Sequence, residues 1–390
     1  MPRMFSDRTR FDLRPNRLAE KLAERRAAGA KLFDLTQSNP TRAGLPEVRE
    51  LLVSLAADAA RRYDPLPFGL AEARAAVARD FASRGYPLEP DRILLHASTS
   101  EAYGFLFKLL CDPGDEVLVP RPGYPLFDFL AGLESVRVRS YALAYDGEWH
   151  LDLDAIKAVL GPHTRAIVAV SPGNPTGAYL KRDELARLEA LCAERGIALV
   201  ADEVFADFAL REDARRAASV ARDSQALAFA LGGVSKSCGL PQLKLAWTAV
   251  VGPDALRREA LARLEVVADT YLPVSTPVQV AAPALLARKE ELQAPIRARV
   301  VENLDALRAL AAASPATLLE PEGGWSAILR VPATCSEEER VLRLLGERDV
   351  LVHPGYFFDF PGEAYLVLSL LPPPAEFGEG VARVLADLVL

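Results

Sequence analysis

The sequence is poor in residues that build cross-linked or metal-dependent proteins: among 390 residues there are four cysteines and four histidines. Cys111, Cys192, Cys238 and Cys335 lie far apart and form no Cys-x-x-Cys pair, which argues against a disulfide framework and a thiolate zinc site. The histidines are equally scattered, none at metal-ligand spacing from another, so no metal is expected. There is no excess of positive charge. The formal net charge is -7, spread through mixed-sign segments such as Glu20 to Arg26 and Glu337 to Arg343 that read as solvated helix faces, and nucleic acid is not an expected partner. No segment reaches the ~18 apolar residues that a bilayer requires, and the polar stretch from Met1 to Arg17 lacks a signal-peptide core. The expectations are no membrane partner and a cytoplasmic location. No internal repeat or low-complexity linker interrupts the chain.

What the chain does have is apolar bulk. Hydrophobic residues make up 50% and charged residues 25%, enough for a large core in two domains. Pro15 to Ala28 has helical spacing stopped by Gly29, and Leu32 to Thr36 reads as a strand. Short apolar runs then alternate with helical stretches as far as Val251. The runs are Ile93 to His96, Glu116 to Val119, Val136 to Tyr141, Ala166 to Val170, Ile197 to Ala201, Ala226 to Leu231 and Trp247 to Val251. This alternation predicts an α/β fold whose mostly parallel sheet is covered by helices on both faces, with a helix at Arg182 to Glu194. Beyond Pro253 a long Ala- and Leu-rich helical stretch runs to Leu310. Strands at Ser326 to Val331 and Tyr365 to Leu370, and helices at Glu337 to Glu347 and Ala375 to Leu388, read as a smaller α+β domain.

In an open parallel sheet, ligands gather beyond the carboxyl ends of the strands. After Ile93 to His96 comes Ala97-Ser98-Thr99-Ser100-Glu101, small hydroxyl residues at a helix start. They suit an anion, and they also suit ordinary capping. Ser171-Pro-Gly-Asn-Pro-Thr-Gly177 follows Val170, Asp202-Glu-Val-Phe205 follows Ala201, and Gly232-Gly-Val-Ser-Lys236 follows Leu231. One sheet edge thus receives an amide, a carboxylate and an amine.

These motifs in this order resemble the class I/II aminotransferases of the fold-type-I pyridoxal phosphate enzymes, over nearly the whole chain. The resemblance implies a large cofactor-binding domain at 42–280 and a small domain formed by 281–390 with the N-terminal arm 1–41. It implies pyridoxal phosphate as cofactor, held as a Schiff base by Lys236 and paired through its pyridine nitrogen with Asp202. Asn174 would bond the ring oxygen and Tyr124 would stack on the ring. The phosphate would rest on Ser98, Thr99 and Ser100, near Ser235 and Lys244. Tyr63 matches a tyrosine lent by a second subunit, so a homodimer with shared sites is implied. The implied activity moves an amino group from an amino acid or amine donor to a 2-oxo acid or other carbonyl acceptor. Lyase chemistry such as β-elimination is the alternative on the same scaffold. A third reading, a non-catalytic cofactor-sensing module, lacks an N-terminal segment able to read DNA.

Four positions depart from the family pattern. Lys244 stands for a phosphate-binding arginine, Gly233 for a serine, and Phe205 for a tyrosine that bonds the ring oxygen. Val367 stands where the family places the arginine that clamps a substrate carboxylate, and no Arg or Lys occurs between Arg348 and Arg383. Two expectations follow. Either another cation substitutes, with Arg42 in Ser38-Asn-Pro-Thr-Arg42 as candidate and Ser38 beside it, or the substrate lacks an α-carboxylate.

Overall fold

The computed structural model describes residues 4–45 and 49–389. Its centre is an eight-stranded sheet built from β2 (Ile93–His96), β3 (Glu116–Arg121), β4 (Arg137–Tyr145), β5 (Trp149–Leu151), β6 (Thr164–Val170), β7 (Ala198–Asp202), β8 (Ala228–Gly233) and β9 (Ala246–Val251). A short β1 (Phe33–Asp34) precedes it in the chain. The spatial order is β2-β9-β8-β7-β6-β3-β4-β5. The five strands from β8 to β4 run parallel, whereas β9 lies antiparallel between β2 and β8.

The apolar runs are continuous because both faces of these strands are buried. Ile167, Ala169, Leu199 and Ala201 point into the core on one face, beneath the helices Ala71–Ser83, Arg182–Arg195 and Thr276–Ala287. Ala166, Val168, Val200 and Phe229 enter the core on the other, beneath Thr99–Leu110 and Asp254–Tyr271. At about 25 cal/mol per Å², each large buried side chain here contributes on the order of 2 kcal/mol.

Toward the C-terminus, β10 (Thr317–Leu319), β11 (Ser326–Arg330), β12 (Val350–Leu351), β13 (His353–Pro354) and β14 (Tyr365–Ser369) follow the 24-residue helix Lys289–Ala312. Four of them form an antiparallel sheet ordered β10-β11-β14-β13, while β12 pairs in parallel with β1. A separate core joins Leu18 and Leu35 to Leu329, Leu344, Leu366 and Phe377. The helix Lys289–Ala312 spans both cores, placing Leu292 in the first and Ile296, Val300 and Leu304 in the second. No helix among the described residues is long and apolar enough to cross a membrane.

The predicted elements recur, but β10, β12 and β13 were not expected from the sequence, and three further differences concern the strands. The strand expected over Leu32 to Thr36 shrinks to Phe33–Asp34, because Asp34 Oδ1 accepts bonds from the backbone N and Oγ1 of Thr36 and turns the chain there. β3 continues through Pro120. Its pairing with β6 covers only Glu116 to Leu118, so the missing N–H removes no ladder bond on that side. β5, absent from the sequence-based expectation, is three residues long and pairs only with β4.

Candidate active site

β6 and β7 end level, Val170 pairing with Asp202, and β8 runs two residues past the pair Asp202 and Leu231 to Gly233. The motifs after these strands therefore emerge on one edge. Asn174, Asp202 and Lys236 line a single cavity of about 280 Å³, joined there by Ser38, Thr99, Ser100 and Tyr124.

Asp202 is the last residue of β7 and is almost wholly buried. Its Oδ2 accepts from the Tyr103 hydroxyl at 3.1 Å, and its Oδ1 from the Val204 backbone N at 3.1 Å. Burial raises its pKa from 3.8 to about 6, although both hydrogen bonds and the Lys236 charge pull it down. Lys236 sits on the one-turn helix Val234–Ser237 directly after β8. Its Nζ lies 5.2 Å from the Phe205 ring centroid and 5.1 Å from that of Trp325. Burial depresses its pKa, against the opposing pull of Asp202, and favours the neutral amine that a nucleophile requires.

Tyr103 was not legible as a site residue, yet Thr99 and Tyr103 stand four apart on one helix and both line the cavity. Its ring packs edge-on against Phe127 with centroids 5.3 Å apart, which aims the hydroxyl at Asp202. Trp325 and Ser326 arrive from the four-stranded sheet, and Ser326 Oγ lies 3.4 Å from Asn174 Oδ1. The loop carrying them is pinned: buried Glu322 accepts from the Tyr179 backbone N at 3.0 Å, from Arg211 at 2.8 Å and from Lys181. Glycine is required where this loop meets the Ser171–Gly177 loop. Gly177 has φ +69°, and a Cβ on it would lie 2.6 Å from the Gly323 carbonyl oxygen. Glu322, Glu148 and Asp213 lie close enough to suggest a cation site, but Lys181, Arg211 and Arg215 already neutralise them.

The remaining sequence candidates do not line the cavity of this chain. Ser98 is the N-cap of Thr99–Leu110, its Oγ accepting from Glu101 N at 3.2 Å. Ser235 is half-buried behind the cavity, and Lys244 is exposed with φ +56°. Tyr63 is 69% exposed. Arg42 is exposed in the turn Pro40–Arg42. Gly233 has extended backbone, and a Cβ there would lie 3.1 Å from Ala246 Cβ, so a serine needs β9 to yield slightly. Phe205 packs edge-on against Trp325 with centroids 5.2 Å apart, and Val367 lines the cavity in the middle of β14.

A buried carboxylate that receives two neutral hydrogen bonds and has no ion-pair partner among the described residues, facing a half-buried amine, suits a cofactor with a protonatable ring nitrogen and an aldehyde. The comparisons with known proteins agree. The family described as aminotransferase class I and II matches residues 30–373, and the chain belongs to it. Members of that family work with pyridoxal phosphate, and this chain is a pyridoxal phosphate-dependent aminotransferase of fold type I. It is 26% identical over 354 residues to the glutamate-pyruvate aminotransferase AlaA of Escherichia coli K12, covering 88% of this chain and 87% of that one. It is 27% identical over 370 residues to an alanine aminotransferase of Mycobacterium tuberculosis H37Rv, covering 92% and 86%. A crystal structure of an Escherichia coli aminotransferase superposes with a TM-score of 0.89 at 24% identity, covering 100% and 99%. The S-alkyl-thiohydroximate lyase SUR1 of Arabidopsis thaliana is 30% identical over 227 residues, 57% of this chain and 49% of the lyase.

Proposed function

We propose that this cavity moves an amino group from a primary amine donor to a carbonyl acceptor, with Lys236 as cofactor anchor and proton carrier and Asp202 as partner of the pyridine nitrogen. The observation that carries the reading is a single cavity lined by the half-buried amine of Lys236, the buried carboxylate of Asp202 and Asn174. Pyridoxal phosphate, when bound, supplies the electron sink for the substrate carbon. Asp202 holds the ring-nitrogen proton in place, and Tyr103 orients Asp202. Asn174 would bond the ring oxygen, Tyr124 would stack on the ring, and Thr99 and Ser100 would hold the phosphate, with Ser98, Ser235 and Lys244 as further candidates from outside the cavity lining. Lys236 would hold the cofactor and, when freed, its neutral Nζ would be the base that carries a proton from the substrate carbon.

We further propose a homodimer in which Tyr63 completes the partner's phosphate site, and a division into 42–280 and 281–390 with 1–41. The outward position of Tyr63 and the over-half exposure of Tyr271 and Leu272 support the first. The two cores threaded by Lys289–Ala312 support the second. A solution mass near twice 42.3 kDa is expected by light scattering, and a monomer would remove Tyr63 from the site.

The lyase alternative draws on the likeness to SUR1. Single-turnover reactions separate the two. Amino transfer converts the donor into its carbonyl compound and leaves the nitrogen on the cofactor, whereas β-elimination releases ammonia and leaves the cofactor unchanged. The expected result is no ammonia and one carbonyl product per cofactor; stoichiometric ammonia would replace transfer by elimination.

A further inference from the structure

The part of the cavity built by β11, β13 and β14 has a composition that bears on the substrate. His353 on β13 stands directly opposite Val367 on β14, and Val367 on its other side stands opposite Ile328 on β11. His353 and Val367 both line the cavity, near Ser326, Ser369 and Ser38. Among the described lining residues the only charged side chains are Lys236 and Asp202, and both are committed to the cofactor. Among the described residues no cation lines the wall around Val367.

The polar groups of this wall differ in how fully they are engaged. Ser369 Oγ donates to the Gln37 carbonyl at 2.7 Å and accepts from Leu371 N at 3.2 Å. Ser326 Oγ is turned toward Asn174. His353 is held between the Phe357 and Phe358 rings, each with its centroid 5.8 Å away, and its Nδ1 is buried with no partner among the described residues. Burial lowers the imidazole pKa against the opposing charge of Asp34, so the ring is neutral at neutral pH. A neutral imidazole offers one donor and one acceptor; Nδ1 is closed off by burial, which leaves Nε2 to meet a hydroxyl or, when it carries the proton, a carbonyl oxygen.

A carboxylate placed on this wall would leave water without a counter-charge, an exchange that costs several kcal/mol, whereas an uncharged hydroxyl needs only one hydrogen bond. We propose, resting on the amino-transfer reading above, that the donor is a primary amine whose amine-bearing carbon carries an uncharged oxygen group in place of a carboxylate. An amino alcohol is the simplest member of that class. His353 is the residue that recognises the oxygen, and Val367 the one that leaves no place for a carboxylate. The acceptor that closes the cycle meets the same wall and is a hydroxylated or simple carbonyl compound. Atoms balance as in any amino transfer: the donor loses its nitrogen and becomes a hydroxyketone or hydroxyaldehyde, and the acceptor gains that nitrogen.

Three matched donors test this on the cofactor-loaded enzyme: 2-aminopropan-1-ol, alanine and propan-2-amine. Each is mixed with the enzyme and the cofactor absorption band is followed through one turnover. The amino alcohol is expected to exceed alanine by at least about tenfold in rate constant over half-saturation concentration, equivalent to about 1.4 kcal/mol. His353→Leu is expected to raise half-saturation for the amino alcohol about tenfold and leave propan-2-amine unchanged, a split that general loosening of the fold does not produce. Val367→Arg is expected to reverse the preference toward alanine. If the wild type prefers alanine or treats the two alike, the proposal falls while amino transfer stands, and a cation lent by a second copy becomes the explanation. If none of the three donors discharges the band, amino transfer from this cavity falls as well.

Discussion

Lys236→Ala is expected to lower amino transfer by at least about 10⁴-fold, since one residue both anchors the cofactor and carries the proton. The substitution removes the only amine that lines the cavity among the described residues. It also removes the amine that, when protonated, pulls the Asp202 pKa down. Two measurements separate this from unfolding. Borohydride reduction fixes cofactor to the wild-type protein, seen as a mass increase, and leaves the variant unmodified. Added methylamine should restore part of the rate, because a small free amine can enter the space left by the side chain. A variant that retains a tenth of wild-type activity would take Lys236 out of the chemistry.

Asp202→Asn is expected to act in opposite directions on activity and on stability. Asparagine can still accept from Val204 through its single oxygen and donate its amide N–H to the Tyr103 hydroxyl, but it cannot hold the ring-nitrogen proton, so amino transfer should fall about 10³-fold and cofactor should bind more weakly. The cofactor-free protein should become more stable near neutral pH. Burial raises Asp202 from 3.8 to about 6, so the folded chain holds this proton more tightly than the unfolded chain. Its favourable contribution is complete below pH ~3.8 and is lost as pH rises through about 6. Above that, the buried ionised carboxylate is unfavourable by on the order of 3 kcal/mol, and asparagine removes that burden. The variant's thermal midpoint should therefore exceed the wild type's by a few degrees at pH 7.5, with the gain vanishing toward pH 4. A lower midpoint at pH 7.5 would mean that Asp202 is held by stronger contacts than its two neutral hydrogen bonds. Tyr103→Phe keeps the ring that packs on Phe127 and deletes only the hydroxyl. It should fall between the two proteins in activity and in cofactor affinity.

Such a buried, partly uncompensated carboxylate is a local instability that the surrounding sheet supports. The cores on both faces of β6 to β8 hold the backbone of Asp202 and the start of the Lys236 helix, so apolar packing offsets the cost of keeping the carboxylate from water. The same architecture explains why the glycines at Gly177 and Gly323 are needed. Side chains there would push apart the two loops that bring Asn174 and Ser326 together.

Much of this was determined by the amino-acid sequence alone. Alternating apolar runs and helical stretches define the α/β class, because a strand buried on both faces must be apolar at every position. The motifs after Val170, Ala201 and Leu231 carry the family resemblance that implies the cofactor, and a parallel sheet delivers the ends of neighbouring strands to one edge. Lys236, Asp202 and Asn174 were legible for that reason. Tyr103 was not, since an aromatic within an apolar helix reads as core until a partner 99 residues away is seen beside it. The separate fates of Ser98 and Ser100, one capping the helix and one lining the cavity, depend on which way each side chain leaves the helix start. The wall around Val367 is the clearest case of tertiary decision. The sequence showed that an arginine is missing and left open whether Arg42 replaces it; folding placed Arg42 outside on a surface turn and paired Val367 with His353. Cross-strand register, which no local pattern encodes, gave the cavity its neutral wall with His353 beside Val367.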